Sequence, residues 1–289
     1  MKPTQNAIPI DSAAPRRKPL GSYLRDVSDL GEEQIARIAA YQRERGLRFG
    51  EAAVALSLAG EQDVIDALSA QFGYPAGSAE VDAELVVAAD AFGEQAELFR
   101  ELRSRLLLEV LPETAPFALA VLSPDRADGK TYLAANLATA FAQLGSRTLL
   151  IDADLRAPRL DKLLRVQRRA GLSEVLAGFA PAEEALHRAP NLGNLWLMPA
   201  GALPPNPLEL LQRPAFEALL AAMKEKFDRI VVDTAAASFG ADCRAVAARC
   251  TASVVLARKD ETRMASLEKL VTALERSDGV IAGMVMNER

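Results

Sequence analysis

The chain has 289 residues, of which 50% are hydrophobic and 5% aromatic, and its formal net charge is −5. That length allows two domains with a core built mainly of Ala, Leu and Val, and the acidic balance argues against general nucleic-acid binding. Two cysteines without a Cys-x-x-Cys spacing, Cys243 and Cys250, and a single His187 leave no zinc-type metal site and fit reduced packing thiols of a cytoplasmic protein.

Residues 1–18 are rich in Pro, Ala and polar side chains and are expected to form a disordered tail, with Arg16, Arg17 and Lys18 solvated. The start has no apolar segment of the secretory type, and no run approaches the ~18–20 apolar residues of a membrane span, so the expectation is a soluble protein. Over residues 19–77 the sequence repeats itself at an offset of 29 (50 − 21): Gly21 meets Gly50, Gly31 meets Gly60, Glu32 meets Glu61, Ile35 meets Val64 and Gln42 meets Gln71. Each copy reads as a short helix, a turn at Gly31 or Gly60 and a longer amphipathic helix, together a small all-α domain. This repeat resembles the N-terminal domain of type II secretion and pilus-assembly ATPases. Some members of that domain family bind cyclic di-GMP through an Arg-Leu-Gly start in each copy. Here the second copy begins Arg48-Phe49-Gly50 and the first Pro19-Leu20-Gly21. A protein-docking module is the first expectation and a cyclic di-GMP sensor the second.

Residues 78–94 read as a linker with room for one short helix. The stretch from Gln95 to Leu111 is helical, with Glu97, Arg100 and Arg103 at i, i+3 and i+6. Phe117 to Leu122 is an apolar run suited to a buried strand, followed by a polar loop and then Gly129-Lys130-Thr131 opening a helix. Strand, tight loop and Gly-Lys-Thr helix start is the P-loop context: backbone N–H groups and the helix dipole favour a phosphate, Lys130 would reach the terminal phosphates, and Thr131 would ligate a metal. Thr148 to Ile151 is the next buried strand, with Asp152, Asp154 and Arg156 at its carboxyl end; two carboxylates there suit Mg²⁺ and a substrate hydroxyl. After a helix-turn-helix over residues 159–178 come a strand at Leu195 to Met198 and a proline-stiffened loop from Gly201 to Pro207. A further buried strand ends in Asp233, where P-loop proteins carry a second metal ligand. The alternation of strands and helices continues to a last strand ending at Asn287. The fold class is therefore α/β, a P-loop NTPase parallel sheet with helices on both faces over 95–289.

Four signals in order, SPDRADGKT, LLIDADLR, GALPPNPLELL and IVVDTA, follow the Glu97-x-x-Arg100-x-x-Arg103 helix. This combination resembles the bacterial tyrosine kinases of polysaccharide loci, in particular the separate cytoplasmic kinases paired with a membrane chain-length determinant. The resemblance implies a MgATP-dependent tyrosine kinase, peripheral to the inner membrane through that partner. It implies a Walker A loop at Gly129, Lys130 and Thr131, a Walker A′ motif at Asp152, Asp154 and Arg156, and a Walker B aspartate at Asp233. It further implies ring assembly through Glu97, Arg100 and Arg103, and a base contact from Asn287. The cofactors implied are ATP and Mg²⁺, with Asp152 joining Thr131 and Asp233 as a metal ligand. Pro124 and Ala127 stand where that family has small residues and then Gly, and the sequence ends at Asn287-Glu288-Arg289 without a tyrosine cluster. Little autophosphorylation is therefore expected, with any transfer directed to another polypeptide or to Tyr23 near the N-terminus. The runner-up readings are a non-kinase ATPase switch, like the partitioning and cell-division ATPases, and an ATP-binding pseudokinase scaffold.

Overall fold

The computed structural model describes residues 18–72, 81–112, 115–167, 170–277 and 279–288. The tail expected over 1–18 lies outside the described residues apart from Lys18. The chain divides into two compact units, Met1–Ala76 and Gly77–Arg289.

The first unit contains α1 (Leu20–Ser28), α2 (Glu32–Arg45), α3 (Phe49–Ala55) and α4 (Glu61–Phe72). Each copy of the repeat is thus one short and one long helix. The helices pair across copies, α1 on α4 and α2 on α3, because neither copy can cover its own apolar face. The shared core is Leu24, Leu30, Ile38, Ala52, Ala53 and Ala67. Helix starts are set by side chains in the first turn: Gln34, Glu51 and Asp63 each accept the N–H three residues back, from Gly31, Arg48 and Gly60, all at 2.8 Å. Gly50 lies at a close crossing, where a Cβ would stand 2.5 Å from a Val64 methyl.

The second unit opens with α5 (Val86–Ala89) and α6 (Glu94–Glu109). It continues β1 (Phe117–Leu122), α7 (Lys130–Gln143), β2 (Thr148–Ala153), α8 (Leu160–Leu163), α9 (Leu172–Ala177), β3 (His187–Arg188) and β4 (Leu195–Met198). It closes with α10 (Pro207–Gln212), α11 (Pro214–Lys224), β5 (Arg229–Thr234), α12 (Asp242–Ala247), β6 (Ala252–Arg258), α13 (Met264–Glu275) and β7 (Ile281–Asn287). The seven strands lie in the order β3-β4-β2-β5-β1-β6-β7. All neighbours are parallel except β3, a two-residue strand antiparallel to β4 that the apolar pattern does not reveal. Strand side chains alternate between two cores, as a pleat requires. Phe117, Leu119 and Val121 face a core shared with α5 to α8. Ala118, Ala120 and Leu122 face one shared with α9 to α13. The tips of β2, β5 and β1 are neighbours, so the loops that follow them converge.

The linker expected over 78–94 is corrected by the structure from residue 81 onward. Leu85, Val87 and Ala88 are buried in the first core. The segment is fastened to α7 by side chains of that helix. Asn136 Oδ1 accepts the Val87 N–H at 3.1 Å, Asn136 Nδ2 donates to the Glu84 carbonyl at 2.8 Å, and Gln143 Nε2 donates to the Val87 carbonyl at 2.9 Å. A buried backbone must find such partners. Asn136→Ala would strand a buried N–H and a carbonyl together, so it should lower unfolding stability by roughly 2–4 kcal/mol in urea titrations. A loss under ~0.5 kcal/mol would show that this side chain does not anchor the segment.

Candidate active site

The loop from Ser123 to Gly129 joins β1 to α7 and is held by its own neighbours. Asp128 is buried; its Oδ2 accepts the Asp125 N–H at 2.9 Å and its Oδ1 accepts the Thr262 hydroxyl at 3.0 Å. Its carbonyl accepts Asn287 Nδ2 at 2.8 Å. Gly129 has φ +107°, and a Cβ there would stand 2.7 Å from Asn287 Nδ2, so the position excludes any side chain. Ala127 has φ 62°. It occupies the left-handed region at a cost of about 1–2 kcal/mol.

Lys130 is buried at the helix start, and its Nζ donates to Ser123 Oγ at 3.0 Å and to the Asp125 carbonyl at 3.4 Å. The Thr131 hydroxyl donates to Asp233 Oδ2 at 2.6 Å. The other oxygen of Asp233 is buried and has no hydrogen-bond partner among the described residues. Asp152 is the neighbour of Asp233 in register across β2 and β5. Its two oxygens accept the Asp154 and Leu160 N–H groups, each at 3.2 Å. Burial pushes both carboxyls up, Asp233 to about 7; for Asp152 the Asp233 charge adds to burial. Asp154 is half-buried and closes the turn: its Oδ1 accepts the N–H groups of Arg156 at 3.1 Å and Ala157 at 2.9 Å.

The structure therefore gathers Gly129, Lys130, Thr131, Asp152, Asp154, Asp233 and Asn287 at adjacent strand ends. An unsatisfied carboxylate oxygen beside a threonine hydroxyl offers the hard oxygen donors that suit Mg²⁺. A cleft of about 620 Å³ runs from Gly129 and Asn287 between α6 and β7, past Gln95, Leu98, Tyr132 and Met286.

Other expected residues are placed differently. Arg156 turns from the loop to Asp242 at the start of α12, with Nε bonded to Oδ2 and Nη2 to Oδ1 at 3.2 Å. On α6, Glu97 is exposed, but Arg100 bonds to Glu97 and to the Ala91 carbonyl, and Arg103 donates to the Ala140 carbonyl at 2.7 Å. Both arginines thus have contacts within the chain. Asp128, Thr262 and Asp242 escape sequence reasoning; only Asp128, beside Gly129, carries a positional signal. Burial pushes Cys243 up to about 11 and Cys250 to about 12, so neither is a thiolate near neutrality.

Residues 119–288 match the family described as the CobQ/CobB/MinD/ParA nucleotide binding domain. Among curated relatives, the tyrosine-protein kinase CpsD of Streptococcus pneumoniae is 31% identical over 171 residues, covering 59% of this chain and 75% of that protein. The tyrosine-protein kinase ptk of Acinetobacter johnsonii is 34% identical over 160 residues, 55% of this chain and 22% of that longer protein. Among solved structures, the kinase domain of the Escherichia coli tyrosine kinase ETK superposes with a TM-score of 0.67 at 28% identity, covering 70% of this chain and 79% of that one.

A raised carboxyl holds a proton in the fold that the unfolded chain has already released, since an unperturbed Asp titrates near ~3.9. The nucleotide-free protein should therefore be more stable in acid and lose stability as pH rises through about 7 for Asp233, with Asp152 shifted in the same sense. Asp233→Asn removes that titration. Calorimetry without nucleotide should show wild type losing stability relative to this variant between about pH 4 and pH 7; a flat difference would mean that the carboxylate is ionised throughout.

Proposed function

The chain belongs to the CobQ/CobB/MinD/ParA nucleotide-binding family, and on that premise we propose that it is a MgATP-dependent protein tyrosine kinase acting in polysaccharide polymerisation and export. The observation that carries this reading is the Thr131–Asp233 contact with its partnerless second carboxylate oxygen, beside Lys130 and the Asp152–Asp154 turn. Its relatives named as tyrosine-protein kinases support the reaction type.

Phosphoryl transfer asks a protein mainly to position groups and neutralise charge. Lys130 would leave Ser123 and the Asp125 carbonyl for the terminal phosphates, joined by the loop amides. Thr131, Asp233 and Asp152 would hold Mg²⁺, and the bound ion would supply charge neutralisation on the phosphate oxygens. Asp233 must give up its proton to serve there. Asp154 is more accessible than Asp152 and would orient the acceptor phenol and take its proton. Asn287, lining the cleft beside Gly129, would meet the base.

No described helix is long and apolar enough to cross a membrane. Recruitment by a membrane chain-length determinant is part of the proposal, with the helical repeat as a docking module; a cyclic di-GMP role for that module is the lesser reading. Assembly of copies through α6 is also proposed. The second functional reading is a non-kinase ATPase switch, which the inclusion of MinD and ParA in the family description supports only weakly. The partitioning ATPases carry a lysine five residues before the P-loop lysine; here that residue is Asp125.

Purified protein incubated with labelled MgATP, with and without the cytoplasmic end of its membrane partner, should yield phosphotyrosine on a polypeptide acceptor. Lys130→Met should abolish that signal and weaken ATP binding at least ~100-fold by calorimetry, the loss of more than one charge-assisted contact. ATP hydrolysis with no phosphotyrosine would move the assignment to the ATPase switch. For assembly, Glu97→Arg is the informative change, because the Glu97 side chain is 73% exposed whereas Arg100 is 16% exposed and bonded within the chain. Sedimentation should show smaller oligomers with the helical content retained by circular dichroism; an oligomer of wild-type size would count against this face.

A further inference from the structure

We propose that Asp242 is a positioning residue that sets the Asp154–Arg156 turn by gripping Arg156. Its kinetic consequence rests on the kinase reading; its structural consequence does not. The Asp242 side chain is 2% exposed and opens α12, whereas Arg156 is 31% exposed on the turn after β2. The bond is bidentate, which fixes the plane of the guanidinium as well as its position. The anchor is rigid, since Cys243, Val246 and Ala247 of α12 are packed in the second core.

A second contact ties this grip to the P-loop. Phe239, in the turn between β5 and α12, has the Arg156 guanidinium carbon 5.7 Å from its ring centre and that of Arg126 at 5.3 Å. The same turn is joined to the P-loop by two backbone bonds, from the Ala237 N–H to the Ser123 carbonyl and from the Ser238 N–H to the Pro124 carbonyl, each 2.9 Å. The segment after β5 is therefore a common reference for the loops that follow β1 and β2. Arg156 is the side chain through which the β2 loop is registered against it. Its own N–H is held by Asp154, so moving the side chain moves the turn that presents Asp154.

Removing the guanidinium leaves the buried Asp242 carboxylate uncompensated, whereas Arg156, partly exposed, can turn to water when Asp242 is neutralised. Lysine keeps the charge of Arg156 but not the two-pronged grip. The loop carrying Lys130 and Thr131 is fastened separately, through Asp128, Thr262 and Asn287. Loss of the grip should accordingly misplace the turn while sparing nucleotide affinity.

The test uses the full chain with Asp242→Asn, Arg156→Lys and the double change. Amide exchange at residues 156–160 should rise about tenfold or more in both single variants, with residues 129–134 unchanged. Phosphoryl transfer should fall about 10–100-fold in kcat, the scale of a small misplacement, with ATP affinity within about twofold. The double variant should be no slower than the worse single one, because both remove one interaction. Unchanged exchange in either variant overturns the proposal, as do strictly multiplicative kcat losses or a fall in ATP affinity that parallels kcat. Should wild type transfer no phosphate, the kinase reading fails, and the exchange result alone decides the role of Asp242. Arg156→Lys, at the more exposed member of the pair, keeps the test open if Asp242→Asn does not fold.

Discussion

The hydrogen bond from the Thr131 hydroxyl to Asp233 joins the first turn of α7 to the tip of β5, and the two loops beside it are arranged around it. It is a costly arrangement. A hydrogen bond to a charged acceptor contributes about 1.5–3 kcal/mol. Desolvating a carboxylate costs several kcal/mol, and Asp152 lies next to Asp233 with a second. The pair is therefore net unfavourable without a cation, and the two apolar cores around the sheet must carry it. Holding protons on these groups is the cheaper solution for the empty protein. A divalent ion bound as proposed would displace those protons, so its affinity would rise with pH.

The phosphate loop is shaped more by its surroundings than by its glycines. Only Gly129 is demanded by space, because Asn287 presses on it from the end of β7. Ala127 takes a left-handed backbone that it does not prefer. Asp128 compensates by binding the Asp125 N–H and the Thr262 hydroxyl, which ties the loop to the segment after β6. Two departures from the expected loop sequence, Pro124 and Ala127, are thus absorbed. Pro124 uses only its carbonyl, on Ser238, and needs no N–H.

Much of this organisation is legible in the sequence because burial on both faces produces continuous apolar runs. Phe117 to Leu122 and Arg229 to Thr234 read as central strands for that reason, and the acidic residues that end such runs point to the site. The repeat is legible because its two copies must match to cover each other. What stays hidden is set by contacts distant in sequence. Val86 to Ala89 is too short for helical periodicity and lies among turn-forming residues, so it reads as linker although Asn136 and Gln143 bury it. Strand β3 is two residues long. The partner of Arg156 is 86 positions away, and nothing in a single sequence distinguishes Asp242 from any other helix-opening acid.

The anchoring of residues 84–88 on α7 also defines where the catalytic half can be separated from the repeat. A fragment beginning at Gln95, the boundary suggested by the helical pattern, would strip Leu85, Val87 and Ala88 from the first core and leave Asn136 facing water through an apolar opening. Such a fragment would expose a sticky groove along the helix that carries Lys130, and its colloidal behaviour and nucleotide site would suffer together. A division upstream of residue 81 keeps that groove covered. Part of what looks like a tether, from residue 81 onward, is thus the outer wall of the enzyme.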